Sequence, residues 1–392
     1  MPRALLHVCN DLPYWNAHRR AVALYARDAG WEVTIATAPH PAASELAQLG
    51  LHHLELPIDR FQLRPRDDLR LLAALVPLLN ARRFAAAHLF TMKPLLIGGL
   101  AARIAGLIHG PHRSGVIGTV AGIGRGFAAD VAGWKSAALR HGLALGLGRT
   151  ASALTFENPG DRDFFVASGI IDTARTHVLP GAGIDLDLFV PRPRDPSVVT
   201  VLFAGRLLRA KGVLEFIAAA DLLRERFGTQ VRMLVAGPHT NGDPDGLDQT
   251  ERRMLEQSDA VSYLGAVPME RMPELMASAD IFVLPTRYPE GLPRVLLEAA
   301  GTRAALIAGD VDGVRAFIAD RVTGLLLPRI DAHTIADAIG SLITDPGLRR
   351  QLGDAAFRKV TQGGYDIGSV AARFLRLYDE AAGATPTTTA TG

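Results

Sequence analysis

Two Rossmann-like, doubly wound α/β domains facing each other across a cleft are the architecture this sequence predicts, and three observations predict it. Short apolar runs alternate with longer helical patterns along most of the 392 residues, the rhythm of βα units and a parallel sheet. That rhythm breaks once, at a Pro- and Gly-rich stretch near the middle, and restarts from a clean strand. Several strands, Ile281-Phe282-Val283-Leu284 among them, are apolar at every position, which fits sheets covered by helices on both faces. Ligands of such sheets bind beyond the carboxyl ends of the strands, so function is expected on loops that leave strands.

The elements follow in order. Ala4 to Cys9 reads as a strand, 17–29 as a helix ending at Gly30, and Glu32 to Ala36 as the next strand. Strands are expected at 51–56, 84–90, 115–118 and 152–156, and helices at 67–81, 94–105 and 130–148. Leu179-Pro180-Gly181-Ala182-Gly183 and Pro191-Arg192-Pro193-Arg194-Asp195-Pro196 read as turn and linker, because proline removes amide donors and fixes chain direction. Val198 to Ala204 restarts the pattern. Helix 212–227 and strands at 231–236, 261–264, 280–284 and 304–308 follow. Helices near 246–257, 270–277, 293–300 and 331–343 alternate with them, and 346–360 and 366–382 close the chain. The expected domains are 1–185, a linker at 186–197, a second domain at 198–365, and a helix at 366–383 returning to the first. The Thr- and Ala-rich tail 384–392 has little to bury and is expected to fray.

Composition excludes little but narrows the field. Hydrophobic residues make up 48% of the chain, ample for two cores, and a formal net charge of +2 gives no case for nucleic acid. Cations gather in the first half, at His18, Arg19, Arg20, Arg64, Arg66, Arg82, Arg83, His112 and Arg113. They read either as solvated faces or as attraction for phosphates or an anionic bilayer. The single cysteine, Cys9, ends the first apolar run and is expected as a buried thiol. Met1-Pro2-Arg3 leads straight into a strand, with no secretory pattern, and no stretch reaches the ~20 apolar residues of a membrane helix. The expected location is cytoplasmic, with peripheral contact at the inner membrane face open. Helix 130–148, with Trp134, Lys135, Arg140, His141 and Arg149, reads as a surface for that contact or as an ordinary packed helix.

Two constellations carry chemistry. Gly205-Arg206-Leu207-Leu208-Arg209-Ala210-Lys211-Gly212 leaves a strand and enters a helix. Gly205 permits tight passage, Arg206 offers a planar fork to phosphate oxygens, and Lys211 adds a point charge at the helix start. The Gly-Lys-Ser/Thr ending of a Walker loop is absent. The second constellation is Glu290-Gly291-Leu292-Pro293-Arg294-Val295-Leu296-Leu297-Glu298, with Pro293 suited to a first helical position. Its two carboxylates sit at different depths, so they are read as acceptors for vicinal hydroxyls rather than as an acid/base pair. Both can also be read as helix-start residues, although Glu298, among Leu296, Leu297, Ala299 and Ala300, then needs a partner.

The Glu-x7-Glu spacing, preceded by Gly-Arg…Lys-Gly, resembles the retaining GT-B glycosyltransferases of family 4. So do Val235-Ala236-Gly237-Pro238, Leu264-Gly265-Ala266-Val267, Ala279 to Thr286 and Thr323-Gly324-Leu325-Leu326. In the first half, Phe90-Thr91-Met92-Lys93-Pro94, Gly99 to Gly106, Ala121 to Phe127, Phe156-Glu157-Asn158 with Asp161-Arg162, and Gly183-Ile184-Asp185 with Phe189 are similar to one bacterial branch. Its members are N-acetylgalactosaminyltransferases that extend lipid-linked or polysaccharide-repeat glycans from UDP-sugars. The resemblance implies that Arg206 and Lys211 bind the donor diphosphate, Glu298 the ribose hydroxyls and Glu290 the transferred sugar. It further implies support from Gly291 and Leu292 amides, a base pocket lined near Val267, no metal, and retention of anomeric configuration.

Some features depart from the family. The first βα loop, Asn10 to Asn16, lacks the common double glycine. No histidine follows the fourth strand, where the loop reads Phe90-Thr91-Met92-Lys93; His88 reads as a strand residue. Lys93, Thr91 and Asn16 are left as candidate contacts for sugar or acceptor. Asp310-Val311-Asp312 reads as a metal-binding pair or a solvated turn. Rival functions are a nucleotide-sugar 2-epimerase of the same fold and a non-catalytic partner protein. A dehydrogenase is disfavoured because Gly122-Ile123-Gly124-Arg125-Gly126 is not the dinucleotide fingerprint.

Overall fold

The computed structural model describes residues 3–59, 64–80, 83–110, 114–123, 134–240 and 242–383. Arg82, His112, Arg113, the segment Gly124 to Phe127, the start of the expected helix 130–148, the side chains of Trp134 and Lys135, and the tail 384–392 lie outside the described residues. The chain divides into two compact units, one made of residues up to Ala182 together with those from Ile367, the other of Gly183–Asp366.

The first unit holds a seven-stranded sheet, all parallel. Its strands are β1 (Ala4–Val8), β2 (Glu32–Thr37), β3 (His52–Glu55), β4 (Ala86–Phe90), β5 (Gly115–Val120), β6 (Ala151–Phe156) and β7 (Thr176–Val178), in the order β3-β2-β1-β4-β5-β6-β7. Helices α1 (Leu12–His18), α2 (Arg20–Asp28), α3 (Glu45–Gln48), α4 (Pro65–Leu78), α5 (Gly99–His109), α6 (Trp134–Leu147) and α7 (Pro159–Ala167) connect them. Successive strand side chains point to opposite faces, and β1 shows the consequence. Leu6 and Val8 join a core with Leu75 of α4, Ala101 of α5 and Leu143 of α6. Leu5 and Cys9 enter the opposite core with Val22 and Ala23 of α2. Cys9 is fully buried, and burial pushes its thiol up to about 12.

The second unit repeats the plan with β8 (Val199–Ala204), β9 (Val231–Ala236), β10 (Ser262–Tyr263), β11 (Ile281–Leu284), β12 (Ala305–Gly309) and β13 (Leu325–Leu327), in the order β10-β9-β8-β11-β12-β13, again all parallel. Its helices are α8 (Val213–Phe227), α9 (Gln249–Glu256), α10 (Met272–Ser278), α11 (Arg294–Gly301), α12 (Asp312–Arg315), α13 (Ala332–Thr344) and α14 (Pro346–Gln362). Val201 and Phe203 pack with Phe216 of α8 and Ile335 of α13, while Leu202 and Ala204 pack with Leu297 of α11 and Val360 of α14. Both sheets are Rossmann-like. In each the chain builds one side, then crosses back, so β1 neighbours β4 and β8 neighbours β11 at the reversal of strand order. That reversal opens a crevice at the carboxyl edge.

Helix α15 (Ile367–Ala381) belongs to the first unit and buries Val370, Phe374, Leu377 and Tyr378 there. Tyr378 Oη lies 3.1 Å from His7 Nε2 and 2.8 Å from His88 Nδ1. Trp15 Nε1, which can only donate, sits 3.2 Å from His7 Nδ1. That contact assigns the proton of His7 to Nε2 and sets one direction for the row. His7 donates to Tyr378, Tyr378 to His88, His88 Nε2 to Thr119 Oγ1 at 2.7 Å, and Thr119 to Thr155 at 2.6 Å. Burial first, and the charge of Arg19 second, lowers the His7 pKa to about 3. Burial likewise holds His88 neutral. His88 is thus a strand residue in a buried polar row.

Several boundaries differ from expectation, each for a local reason. The Asn10–Asn16 loop is mostly helical, since Asp11 caps α1 by accepting from Tyr14 N at 2.8 Å. Pro293 stands just before α11 rather than inside it. The expected helix 94–105 opens as one wide π-turn, Pro94–Gly98, before α5 runs on to His109. Between the expected strand at 152–156 and the turn at 179–183, where no element is expected, the chain forms α7, capped by Asn158, and β7. Residues 186–197, expected as a linker, are fastened to the second unit. Phe189 is buried there, and Arg194 donates to the carbonyls of Ala277 at 3.0 Å and Thr302 at 2.6 Å.

Candidate functional site

In the second unit, the residues singled out from the sequence come from the loops after β8 and β11, the two strands that flank the reversal of strand order. After β8 the chain passes Gly205 and Arg206, makes a short turn over Arg209–Lys211, and enters α8 through Gly212. Gly212 has φ +73°, and a Cβ there would sit 2.2 Å from the carbonyl oxygen of Pro285. Only glycine lets the two loops touch at this point. Arg287 N also donates to Ala210 O at 2.7 Å, and the Arg287 guanidinium reaches Glu215 at 2.6 Å. The loops are therefore held as one body.

Lys211 is buried, its stem passing close to Gly205. Its Nζ lies 2.6 Å from Glu290 Oε1, with side-chain exposures of 10% and 14%. Each group is largely withdrawn from water, and the pairing offsets the cost of that burial. Thr286 Oγ1 approaches the same carboxylate oxygen at 3.5 Å. Arg206 is different: its side chain is 42% exposed and its nearest carboxylate, Asp243, is 4.0 Å away. Its guanidinium can turn toward an anion at little cost. Arg209, the third cation of the loop, is committed elsewhere, to Glu251, Asp248 and the carbonyl of Gly246.

Glu298 sits in α11, 7% exposed, with its Oε1 2.8 Å from Arg294 Nε one turn earlier. The sequence called for a partner, and Arg294 supplies it through i,i+4 spacing. Burial raises the Glu298 pKa, and the Arg294 guanidinium opposes that rise. Gly291 and Leu292 are buried, Leu292 within the core. Behind them lies Gly313 of α12, where a Cβ would stand 1.6 Å from the Gly291 carbonyl oxygen and 2.4 Å from that of Glu290. The segment bearing Glu290 thus rests on a helix whose residue must lack a side chain, and sequence reasoning missed it. Val267 is half-buried against the same core. Asp310 and Asp312 both bind Arg315, at 2.6 and 2.7 Å. Among the described residues no group of three or more His, Cys, Asp or Glu is placed to hold a metal ion.

In the first unit, the candidates Asn16, Thr91 and Lys93 lie on the loops after β1 and β4, which flank that sheet's reversal of strand order. Asn16 is half-buried in α1. Thr91 has φ +69°, a conformation costly for a β-branched residue and concentrated at functional positions. Lys93 is buried, 3.0 Å from Asp68. Arg19, grouped from the sequence with surface cations, is buried instead. It pairs with Glu157 at 2.8 Å and lies over the Phe90 ring at 5.2 Å. No described helix is long and apolar enough to cross a membrane.

Comparison with known proteins agrees with this arrangement. Residues 16–182 match the family described as glycosyl transferase 4-like domain, and residues 189–359 match glycosyl transferases group 1. Among curated relatives, an alpha-D-kanosaminyltransferase of Streptomyces kanamyceticus is 35% identical over 40% of this chain and 39% of its own. The N,N'-diacetylbacillosaminyl-diphospho-undecaprenol alpha-1,3-N-acetylgalactosaminyltransferase of Campylobacter jejuni is 34% identical over 46% and 44%. The chain thus spans about half the length of the curated relatives it matches. Among solved structures, Anabaena HepE in complex with UDP and glucose superimposes with a TM-score of 0.75 at 18% identity, covering 96% of this chain and 99% of that one. Sucrose-phosphate synthase of Thermosynechococcus elongatus gives 0.73 at 20%, over 97% and 100%. At such identities the likeness concerns the fold, which is the two-domain GT-B fold.

Proposed function

Because the chain belongs to the group 1 glycosyl transferases, with a glycosyl transferase 4-like domain preceding the group 1 domain, we propose that it is an enzyme that transfers a sugar from a UDP-sugar with retention of configuration. The observation that carries the proposal is the Lys211–Glu290 pair at 2.6 Å on the two loops beside the strand-order reversal, with the exposed Arg206 and the buried Glu298 on the same two loop–helix segments. Arg206 and Lys211 grip the donor diphosphate. Glu298 accepts from the ribose hydroxyls and Glu290 from those of the transferred sugar, with Gly205, Gly291 and Leu292 giving the backbone its close approach. Val267 borders the base. The HepE complexes, which contain UDP, support the choice of nucleotide.

In the reaction, the acceptor hydroxyl oxygen bonds to the anomeric carbon while the bond from that carbon to the β-phosphate oxygen breaks. The electron pair leaves with UDP, and the departing phosphate oxygen takes the acceptor's proton. The charge growing on the diphosphate is met by two cations, each contributing about 4 kcal/mol at 4 Å and an effective dielectric of 20. No metal ion is required for that step. Asn16, Thr91 and Lys93 are assigned to the acceptor side. The donor in this reading is a hexose or N-acetylhexosamine and the acceptor a polyprenyl-linked or other glycan at the inner membrane face; the Campylobacter relative, named as an N-acetylgalactosaminyltransferase of a diphospho-undecaprenol, supports it.

The test is a donor screen read by mass spectrometry, against polyprenyl-linked and soluble sugar acceptors and without added metal. A glycosylated product with the donor's anomeric configuration is expected, with its rate down at least about a hundredfold in Glu290→Gln and Lys211→Ala, as for loss of one transition-state charge contact. Product formation at the wild-type rate by both variants contradicts the assignment. Epimerised donor in place of product points to the epimerase reading.

A further inference from the structure

Helix α5 is built inside out. It buries Gly99, Ala101, Ala102 and Ala105 and turns its large apolar side chains outward. Ile104, Leu107 and Ile108 fall on one stripe by their i, i+3, i+4 spacing, and Leu107 is 83% exposed and Ile108 62%. Helix α6 packs directly beside it, Gly146 against Gly99 so closely that a Cβ on Gly146 would stand 2.8 Å from the Gly99 carbonyl carbon. It exposes half of Leu145, whose carbonyl accepts from Arg103 Nη1 at 3.1 Å. Leaving such side chains in water is unfavourable on two neighbouring helices that have alanines available for the surface.

Along the sequence, the segment that carries this stripe is one-sided in charge. Residues 91–150 contain seven Lys or Arg and a single acidic residue, Asp130, whereas the rest of the chain carries more acidic than basic residues. Beyond Leu145 the end of α6 lines a recess of about 450 Å³, bordered by Arg149, Arg175 and Asp172. Asp172 is paired with Arg175 at 2.8 Å, which leaves Arg149 to set the sign of the recess. Its volume is that of a small-ligand pocket.

We propose that the outer face of α5 and α6 docks on an anionic lipid bilayer. Ile104, Leu107, Ile108 and Leu145 enter the interface between headgroups and acyl chains, and Arg103 and Arg149 meet lipid phosphates. An apolar stripe flanked by Arg103 and Arg149 is the complement of such a surface. The site is separate from the donor residues, so it stands or falls independently of the nucleotide assignment, and it brings the chain to where a lipid-linked acceptor would be found.

Co-sedimentation of the full chain with phosphatidylcholine vesicles, with and without phosphatidylglycerol, tests this. Binding is expected only with phosphatidylglycerol and is expected to weaken with salt. Arg149→Glu should lower the partition coefficient roughly fivefold per unit of charge changed, and the double variant Leu107→Ser, Ile108→Ser should lower it by at least as much. Arg271→Glu, an equal charge change at a 71% exposed side chain of the second unit, should leave it unchanged. Thermal melting and UDP titration of each variant report separately on folding and on the donor site. Wild-type protein remaining in the supernatant overturns the proposal, as do α5 variants that sediment like wild type. A wild-type dimer that the double variant dissolves, with vesicle binding unaltered, also overturns it and makes the face a contact between copies.

Discussion

Lys211 and Glu290 hold opposite charges in an expensive position, a cation and a carboxylate at about a tenth exposure, 2.6 Å apart. Removing one takes away the other's counter-charge, so Lys211→Ala should lower stability by about 3 kcal/mol as well as abolish turnover. Lys211→Ala with Glu290→Gln together should recover most of that stability and none of the activity, and urea unfolding beside an activity assay separates the two. Glu298 supplies a pH signature. Its folded-state pKa is raised, so in the free protein its contribution to stability is fully present below the unfolded value and is lost as pH rises through the folded one. Donor binding has the opposite sign, because the ionised carboxylate accepts the ribose hydroxyls. UDP affinity should fall as pH drops through the raised pKa, and Glu298→Gln should flatten that part of the profile. An unchanged profile in the variant would remove Glu298 from the ribose contact.

At the scale of elements, the loops matter more than any charged side chain they carry. Gly313→Ala touches no proposed donor contact, yet its Cβ would stand 1.6 Å from the Gly291 carbonyl oxygen. It should displace the Glu290 segment and weaken UDP binding at least about tenfold, visible by calorimetry in a protein that still melts cooperatively. In the first unit, Tyr378→Phe removes the hydroxyl shared by His7 and His88 and should cost about 2 kcal/mol while UDP binding stays intact. The same two histidines make that unit acid-sensitive. They are neutral when folded and titrate near 6.5 when unfolded, so their stabilising contribution is complete above that value and declines as pH falls below it. Long apolar runs with 2-fold or 3.6-fold periodicity, such as β8 and α8, were legible in the sequence because burial on both sheet faces writes itself into composition. Strands β7 and β13, each three residues long, and the four-residue α12 carry too few positions for any period. Gly313 was illegible because its meaning is a close approach between segments distant along the chain. Arg294 was legible in principle, four residues before a carboxylate on one helix face, and was passed over. The burial of Arg19 had no local signal, since Glu157 lies 138 residues away.

Across the whole molecule the sequence runs the same construction twice, with strand order reversing beside β1 in one unit and beside β8 in the other. The candidate donor residues fall on the second unit and the candidate acceptor contacts on the first. Nucleotide should therefore act on one unit alone. At a hundredfold excess over its Kd, UDP stabilises whatever binds it by about 2.7 kcal/mol, and amide exchange should show that protection in Gly183–Asp366, strongest at Gly205–Val213 and Glu290–Glu298. Calorimetric titration of UDP into the wild-type chain and into Arg206→Ala, Lys211→Ala and Glu298→Ala measures the grip itself. Saturable binding by wild type, weakened at least about tenfold in each variant, is the predicted result. Equal affinity in all four proteins, or no heat of binding in any, would contradict the account.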